Sequence, residues 1–185
     1  MYDKEASVFI SESSLTSVLC GSSRPGHFTG VCTIVAKLFN VISPDVAYFG
    51  QKDYQQALII KKMAKDLNFS VKIKVLPIVR EEDGLAMSSR NAYLNEEERR
   101  DALLLFKSLK AAKELISRGE RYSSKVIKDM ARLIEISKLS RINYIKIVDP
   151  ETLNEIKTIR GEALIAIAVY IGRTRLIDNC LIKCK

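Results

Sequence analysis

Two hydrophobic periods alternate along the first eighty residues of the chain. From Thr29 the apolar residues fall at Val31, Ile34, Val35, Leu38, Phe39 and Ile42, the spacing of a helix buried on one face. Pro44 ends that helix, because its ring disfavours helical geometry at Ser43. VAYFG (46–50) then reads as a short apolar strand bounded by Gly50. The helical period returns from Asp53 to Leu67, with Leu58, Ile59, Met63 and Leu67 on one face, and Asn68 closes it. VKIKVLPIV (71–79) alternates Lys with apolar residues and predicts another strand. Earlier, SVFISESSLTSVL (7–19) alternates weakly and predicts a strand running into a turn, and GSSRPGHFTG is a loop by its Gly, Ser and Pro content. Helix, strand, helix, strand with short connections is the rhythm of a parallel α/β sheet, and the strands at 46–49 and 71–76 flank one helix as a βαβ unit. Ligands in such sheets sit at the carboxyl ends of strands, which puts Gly50-Gln51-Lys52-Asp53 in the ligand position.

The pattern changes after residue 80. REEDGLAMSSRNAYL is polar and aperiodic. Asn95 followed by Glu96, Glu97 and Glu98 is an N-cap with acids in the first turn, opening a long helix to about Arg118 that Gly119 ends. Ser124 to Ser137 is a second amphipathic helix. INYIKIVD (142–149), EALIAIAVY (162–170) and TRLIDNCLI (174–182) predict three strands. Helices followed by strands without alternation indicate a separate α+β domain. The expected division is 1–80 and 81–185, with the boundary near residues 80–90.

Composition narrows this picture. The chain has 185 residues, 47% apolar and 28% charged, which suits a globular protein and not a disordered one. It has a single His, so any site needing two histidines lies beyond its own residues. The opening MYDKEASVFI has neither a basic n-region nor a long apolar h-region, so no signal peptide is expected. No run of about 18 apolar residues occurs, so no membrane span is expected. Cys20, Cys32, Cys180 and Cys184 are few and irregular, which fits free thiols in the cytoplasm rather than a disulfide framework. The formal charge of +8 is uneven: residues 1–60 sum to −1 and residues 61–185 to +9. A basic second half fits a polyanion such as a nucleic acid or a nucleotide's phosphates, and equally a lysine-biased solvated surface. A nucleic-acid binder is the second function class considered, but no RNP, zinc-finger or helix-turn-helix signature supports it.

Three segments could carry chemistry. In Phe49-Gly50-Gln51-Lys52-Asp53-Tyr54-Gln55-Gln56, a Gly at a strand end permits close approach of a ligand. Lys can neutralise phosphate there, and Asp can accept from ribose hydroxyls. A glycine turn with Asp as an ordinary N-cap fits the same spacing. Met87-Ser88-Ser89-Arg90-Asn91 offers hydroxyls, a guanidinium and backbone N–H groups as a phosphate cradle, although it is not a P-loop. A polar interdomain linker is the plainer alternative. Ser22-Ser23-Arg24-Pro25-Gly26-His27-Phe28 holds the single His, which reads as a loop or packing residue rather than a base.

In register, GSSRPGHFTGVCTIVAKLFN, PDVAYFGQKDYQQ, GLAMSSRNAYL and the closing RLIDN resemble the pantoate–β-alanine ligase family across essentially the whole chain. The resemblance implies part of a Rossmann-like nucleotidyltransferase domain followed by a small α+β lid domain. It implies ATP-dependent joining of pantoate and β-alanine through a pantoyl-adenylate, releasing pyrophosphate and AMP, with Mg²⁺ on the phosphates and no protein metal cage. By the resemblance, Gly50, Gln51, Lys52, Asp53, Val79, Met87, Ser88, Ser89 and Arg90 bind ATP, with Lys52 near the phosphates and Asp53 near the ribose. Met87 to Arg90 look like this family's version of the KMSKS loop, and Lys52, Ser88, Ser89 and Arg90 support the transition state. Gln56 hydrogen-bonds pantoate, Val31, Ile34 and Val35 wall its pocket, and Arg24 serves the subunit interface or pocket rim. A cytoplasmic homodimer without nucleic-acid or membrane partners is implied.

One departure from the family pattern matters. The family's first strand–loop–helix bears an HxGH signature, and this chain has neither that segment nor a second His. The expectation is therefore a C-terminal part of the enzyme. Alone it should be inactive or nearly so, with no certain catalytic residue of its own and an apolar sheet edge prone to association. A pseudoenzyme or regulatory relic is the remaining alternative.

Overall fold

The computed structural model describes residues 5–184; residues 1–4 of the opening segment and Lys185 lie outside the described residues. The chain divides into two compact units between Pro77 and Ile78. The protein is mixed α/β, with a parallel sheet in the first unit and an antiparallel sheet in the second.

The first unit contains α1 (His27–Ile42), β1 (Val46–Gly50), α2 (Tyr54–Asp66) and β2 (Lys72–Leu76). Strands β1 and β2 pair in parallel, Val46 with Lys72 through Gly50 with Leu76. Helix α2 packs on both strands and on α1. It buries Ala57, Ile59, Ile60, Met63 and Ala64, while α1 contributes Phe28, Cys32, Ala36 and Phe39. The expected face of α2 is corrected in part: Leu58 is only half-buried, and Leu67 is exposed because the helix has already ended at Asp66. Ser43 closes α1 in the left-handed region, its N–H donating to the Phe39 carbonyl at 2.8 Å.

Residues 7–19 do not form the expected strand. Several of their N–H groups are satisfied by side chains instead of a neighbouring strand. Ile10 N donates to Thr33 Oγ1 (3.0 Å). The N–H groups of Ser14 and Leu15 donate to the two carboxylate oxygens of Glu12 (2.9 and 2.7 Å). A segment folded around its own acidic side chain cannot also offer a ladder edge.

The second unit places α3 (Glu96–Ser117) and α4 (Ser123–Ile134) against an antiparallel sheet ordered β3 (Ser140–Val148), β4 (Glu162–Ile171), β5 (Thr174–Lys183). Asn95 and Glu98 form a reciprocal capping box that starts α3. Leu105, Leu109, Met130 and Ile134 from the helices meet Ile147, Ile165 and Ile167 from the sheet, all essentially inaccessible to solvent. Strand β3 carries a bulge between Ile142 and Tyr144. Among the described residues, no helix is long and apolar enough to cross a membrane.

Candidate functional site

In the first unit, β1 delivers Gly50 to its carboxyl end, a 3-10 turn (Gln51–Asp53) follows, and α2 begins at Tyr54. Gly50 has an ordinary extended conformation (φ −81°, ψ 135°), and a Cβ built there meets nothing within 4 Å. The fold itself therefore does not require glycine at this position. What glycine provides is an open backbone surface where a ligand can come close. Gln51 and Lys52 are half-buried on the turn, and Asp53 is exposed.

Asp53 occupies the N-cap position of α2, yet its side chain makes no capping hydrogen bond. The alternative of an ordinary capping aspartate is thus not what this turn adopts, and the carboxylate remains available to accept from a ligand's hydroxyls.

Helix α1 presents Val31, Ile34 and Val35, all half-buried, as an apolar stripe beside the fully buried Cys32, Ala36 and Phe39. On α2 the two adjacent glutamines do different work. Gln55 is buried: its Nε2 donates to the carbonyls of Leu15 and Val18 (both 2.7 Å), and its Oε1 accepts from Cys20 N (3.0 Å). That amide fixes the loop leading to Gly21. Gln56 is half-buried, and its amide makes no hydrogen bond among the described residues. His27 opens α1 with its ring 5.0 Å from that of Phe28, and Arg24 is exposed in the preceding turn.

In the second unit, Val79 and Met87 are brought together. Met87 N donates to Val79 O (3.0 Å), Arg80 bridges Ala86, and Glu81 N donates to Leu85 O (2.8 Å). The segment 79–87 is therefore a short antiparallel loop with Val79 and Met87 both exposed at its base. Ser88 follows, its Oγ accepting from Arg90 N (3.2 Å), and caps a 3-10 turn over Ser89–Tyr93. Ser88 is half-buried, while Ser89 and Arg90 face solvent.

This stretch is aperiodic in sequence, and the groups that hold it are not apparent there. Arg99 of α3 donates through Nη2 to Glu81 Oε2 and to Asp83 Oδ2 (both 2.6 Å). Asn91 Nδ2 donates to Glu81 Oε1 (2.6 Å) and to the Ala86 carbonyl (3.2 Å). Arg80 donates to the Gly84 carbonyl (3.0 Å) and pairs with Asp178 of β5. The signal lay in the acids at 81–83 and the Asp within RLIDN, whose partners are far away in sequence. The backbone bearing Ser88, Ser89 and Arg90 is thus anchored on both sides, and from it hydroxyls, a guanidinium and N–H groups can reach phosphate oxygens.

The cysteines do not join either group of residues as nucleophiles. None of the four forms a disulfide, and burial pushes the Cys32 and Cys180 thiols up to about 11, so both stay protonated at neutral pH. No three His, Cys, Asp or Glu side chains gather as a metal cage among the described residues.

Residues 1–181 match the family described as Pantoate-beta-alanine ligase. The pantothenate synthetase of Fervidobacterium nodosum is 54% identical over 184 residues, covering 100% of this chain and 65% of its own length. That of Caldicellulosiruptor saccharolyticus is 52% identical over 183 residues, covering 99% of this chain and 65% of its own. Among solved structures, pantothenate synthetase from Thermus thermophilus superposes with a TM-score of 0.93 at 40% identity, covering 97% of this chain and 65% of that one. Pantoate-beta-alanine ligase from Francisella tularensis, complexed with beta-gamma ATP and β-alanine, gives a TM-score of 0.67 at 30% identity, covering 94% of this chain and 58% of that one. The chain therefore spans about two thirds of the length of the relatives it matches, at 65% for the first two.

Proposed function

This chain belongs to the pantoate-beta-alanine ligase family, and from that premise we propose that it carries part of the machinery for ATP-dependent ligation of pantoate to β-alanine. In the first step a pantoate carboxylate oxygen attacks the α-phosphorus of ATP, and the bond to the bridging oxygen breaks, releasing pyrophosphate. In the second, the β-alanine amine attacks the acyl carbon of pantoyl-adenylate, and AMP leaves. Negative charge builds on phosphoryl oxygens and on the departing diphosphate, so fixed cations and N–H donors are what the first step needs.

Gly50, Gln51, Lys52 and Asp53 are assigned to ATP, with Lys52 on the phosphates and Asp53 on the ribose. Val79 is assigned to the adenine, and Met87, Ser88, Ser89 and Arg90 to the loop on the phosphates. Gln56 orients pantoate by hydrogen bonding, and Val31, Ile34 and Val35 shield it from water. The observation that carries this reading is the Gly50–Asp53 turn, whose backbone surface is open and whose Asp carboxylate is not used as a cap. The ATP and β-alanine named for the Francisella complex support the same substrates here.

The hydroxyls of Ser88 and Ser89 are hard oxygen donors, which fits Mg²⁺ carried chiefly by the phosphates. When bound, that ion neutralises developing phosphoryl charge. We further propose a homodimer, supported by exposed apolar side chains on the first unit, among them Val41, Ile42 and Tyr48. The cytoplasm is the proposed compartment, in keeping with four cysteines that form no disulfide.

The test is pyrophosphate release with ATP, Mg²⁺, pantoate and β-alanine. The chain with its single His should turn over little alone. Added together with a separately expressed HxGH-bearing segment of the family, it should ligate, and Lys52→Ala should remove that activity. Robust turnover by the chain alone refutes the dependence on a second histidine. Failure of the segment to restore ligation favours a pseudoenzyme.

A further inference from the structure

The turn joining β4 to β5 carries Gly172 and Arg173, and it lies against the start of α3. Gly172 has a φ of +55°, and a Cβ there would collide with the Glu98 carboxylate. Glu98 is held in place by the capping box: its Oε2 accepts from Asn95 N (3.0 Å), and its own N–H donates to Asn95 Oδ1 (2.9 Å). The 3-10 turn bearing Arg90 packs on β5. These elements enclose an open cleft of about 700 Å³, lined by Arg90, Tyr93, Glu98, Gly172, Arg173 and Arg175 together with Thr174.

The charge in this cleft is unbalanced. Three guanidinium groups face one carboxylate. Arg175 is fixed, donating through Nε and Nη2 to Asn143 Oδ1 (3.1 and 3.0 Å). The guanidinium groups of Arg90 and Arg173 make no ion pair or side-chain hydrogen bond among the described residues. Like charges gathered in one cleft repel, and a multivalent anion with several acceptor oxygens relieves that repulsion while using the planar donor forks. Arg90 also belongs to the loop assigned above to the phosphates of ATP.

We propose that this cleft is a pyrophosphate-binding subsite in which Arg173 and Arg175 extend the cationic surface begun by Arg90. The proposal rests on the ligase reading and deepens it: the cleft takes the diphosphate that adenylation releases. Gly172 is then required so that the turn can lie against Glu98 and bring Arg173 to the cleft.

The experiment is calorimetric titration of the chain with inorganic pyrophosphate and, in parallel, inorganic phosphate. Pyrophosphate should bind measurably and more tightly than phosphate, and less tightly as salt is raised. Arg173→Gln should weaken pyrophosphate binding about tenfold, the scale of one charge-assisted hydrogen bond. Arg173→Lys, which keeps the charge and loses the fork, should fall between the two. Arg118→Gln, an exposed substitution at the far end of α3, should change nothing. Absence of pyrophosphate binding, an unchanged affinity in Arg173→Gln, or equal weakening in Arg118→Gln overturns the subsite. Because the titration needs no turnover, an unaffected Arg173→Gln chain that still restores ligation defeats this site and leaves the ligase reading standing.

Discussion

Arg80 grips Asp178 with both ends of its guanidinium, Nη1 to Oδ2 at 2.7 Å and Nη2 to Oδ1 at 3.0 Å, across 98 positions of sequence. Asp178 is 2% exposed, so its charge has almost no access to water, and Arg80 is the cation that pairs with it. The same guanidinium holds the Gly84 carbonyl and stacks over the Phe106 ring at 4.4 Å. One residue therefore ties the loop at residues 79–91, the core sheet and α3 together. Arg80→Met leaves a buried, uncompensated carboxylate. It should cost about 3 kcal/mol, the lower end of what removing one partner of a buried pair costs, since Arg80 itself keeps some exposure. Urea unfolding of the variant measures this. Asp178→Asn combined with Arg80→Met should recover part of the loss.

Gly84 turns the loop at φ +97°, and a Cβ there would enter the Phe106 ring that Arg80 covers. Gly84→Ala combines backbone strain with a steric conflict against a stacked aromatic, so the cost should be about 2 kcal/mol or more. The same variant should raise hydrogen-exchange rates for amides 85–91, because the Arg80 anchor of that loop is displaced. An Ala variant exchanging as slowly as the parent would show that the ring yields freely.

The helical periods made α1, α2, α3 and α4 legible, and short apolar or alternating runs marked the five strands; β4, buried along nearly its whole length, reads as a continuous apolar run and not as an alternation. Two features were not legible. Residues 7–19 alternate like a strand, but alternation cannot reveal that Glu12 and Thr33 satisfy their N–H groups. The Glu81–Asn91–Arg99 cluster was invisible because charged residues in a polar stretch read as solvated until folding brings α3 beside them. The strand-end turn at Gly50–Asp53 was placed from sequence. The disuse of the Asp53 side chain as a cap needed coordinates, since Asp at that position fits either role.

Gln55 and Gln56 are chemically identical neighbours, and helix phase separates them. Gln55→Ala removes three hydrogen bonds to backbone groups and leaves them without that partner in a buried setting. It should destabilise the first unit by about 2–3 kcal/mol. Gln56→Ala should leave the unfolding free energy within about 0.5 kcal/mol of the parent's. In the complemented enzyme it should raise the KM for pantoate. Equal stability losses in the two variants would contradict this division.

Gly50→Ala separates folding from ligand binding. With an extended φ and nothing within 4 Å of the added carbon, the substitution should leave thermal stability unchanged or slightly improved. If ATP approaches that backbone, the methyl group intrudes on it, and nucleotide affinity should fall about tenfold or more. A variant that binds nucleotide normally removes Gly50 from the proposed site.

Glu12 contributes an acid-range pH dependence to the first unit. Burial acts to raise its carboxyl, but the Ser14 hydroxyl, the N–H groups of Leu15 and Ser14, and the Lys62 charge outweigh it, and the group sits below its ordinary 4.5. A carboxyl lowered in the folded state binds its proton more readily when unfolded. Its contribution is therefore complete above the ordinary value and is lost as pH falls through the lowered one. Glu12→Gln should cost about 0.5–1 kcal/mol at neutral pH, a modest figure because the group remains partly exposed to screening solvent. The gap between parent and variant should close as unfolding is measured from about pH 7 down to about pH 3. A gap that stays constant over that range would mean that Glu12 acts through its shape and not its charge.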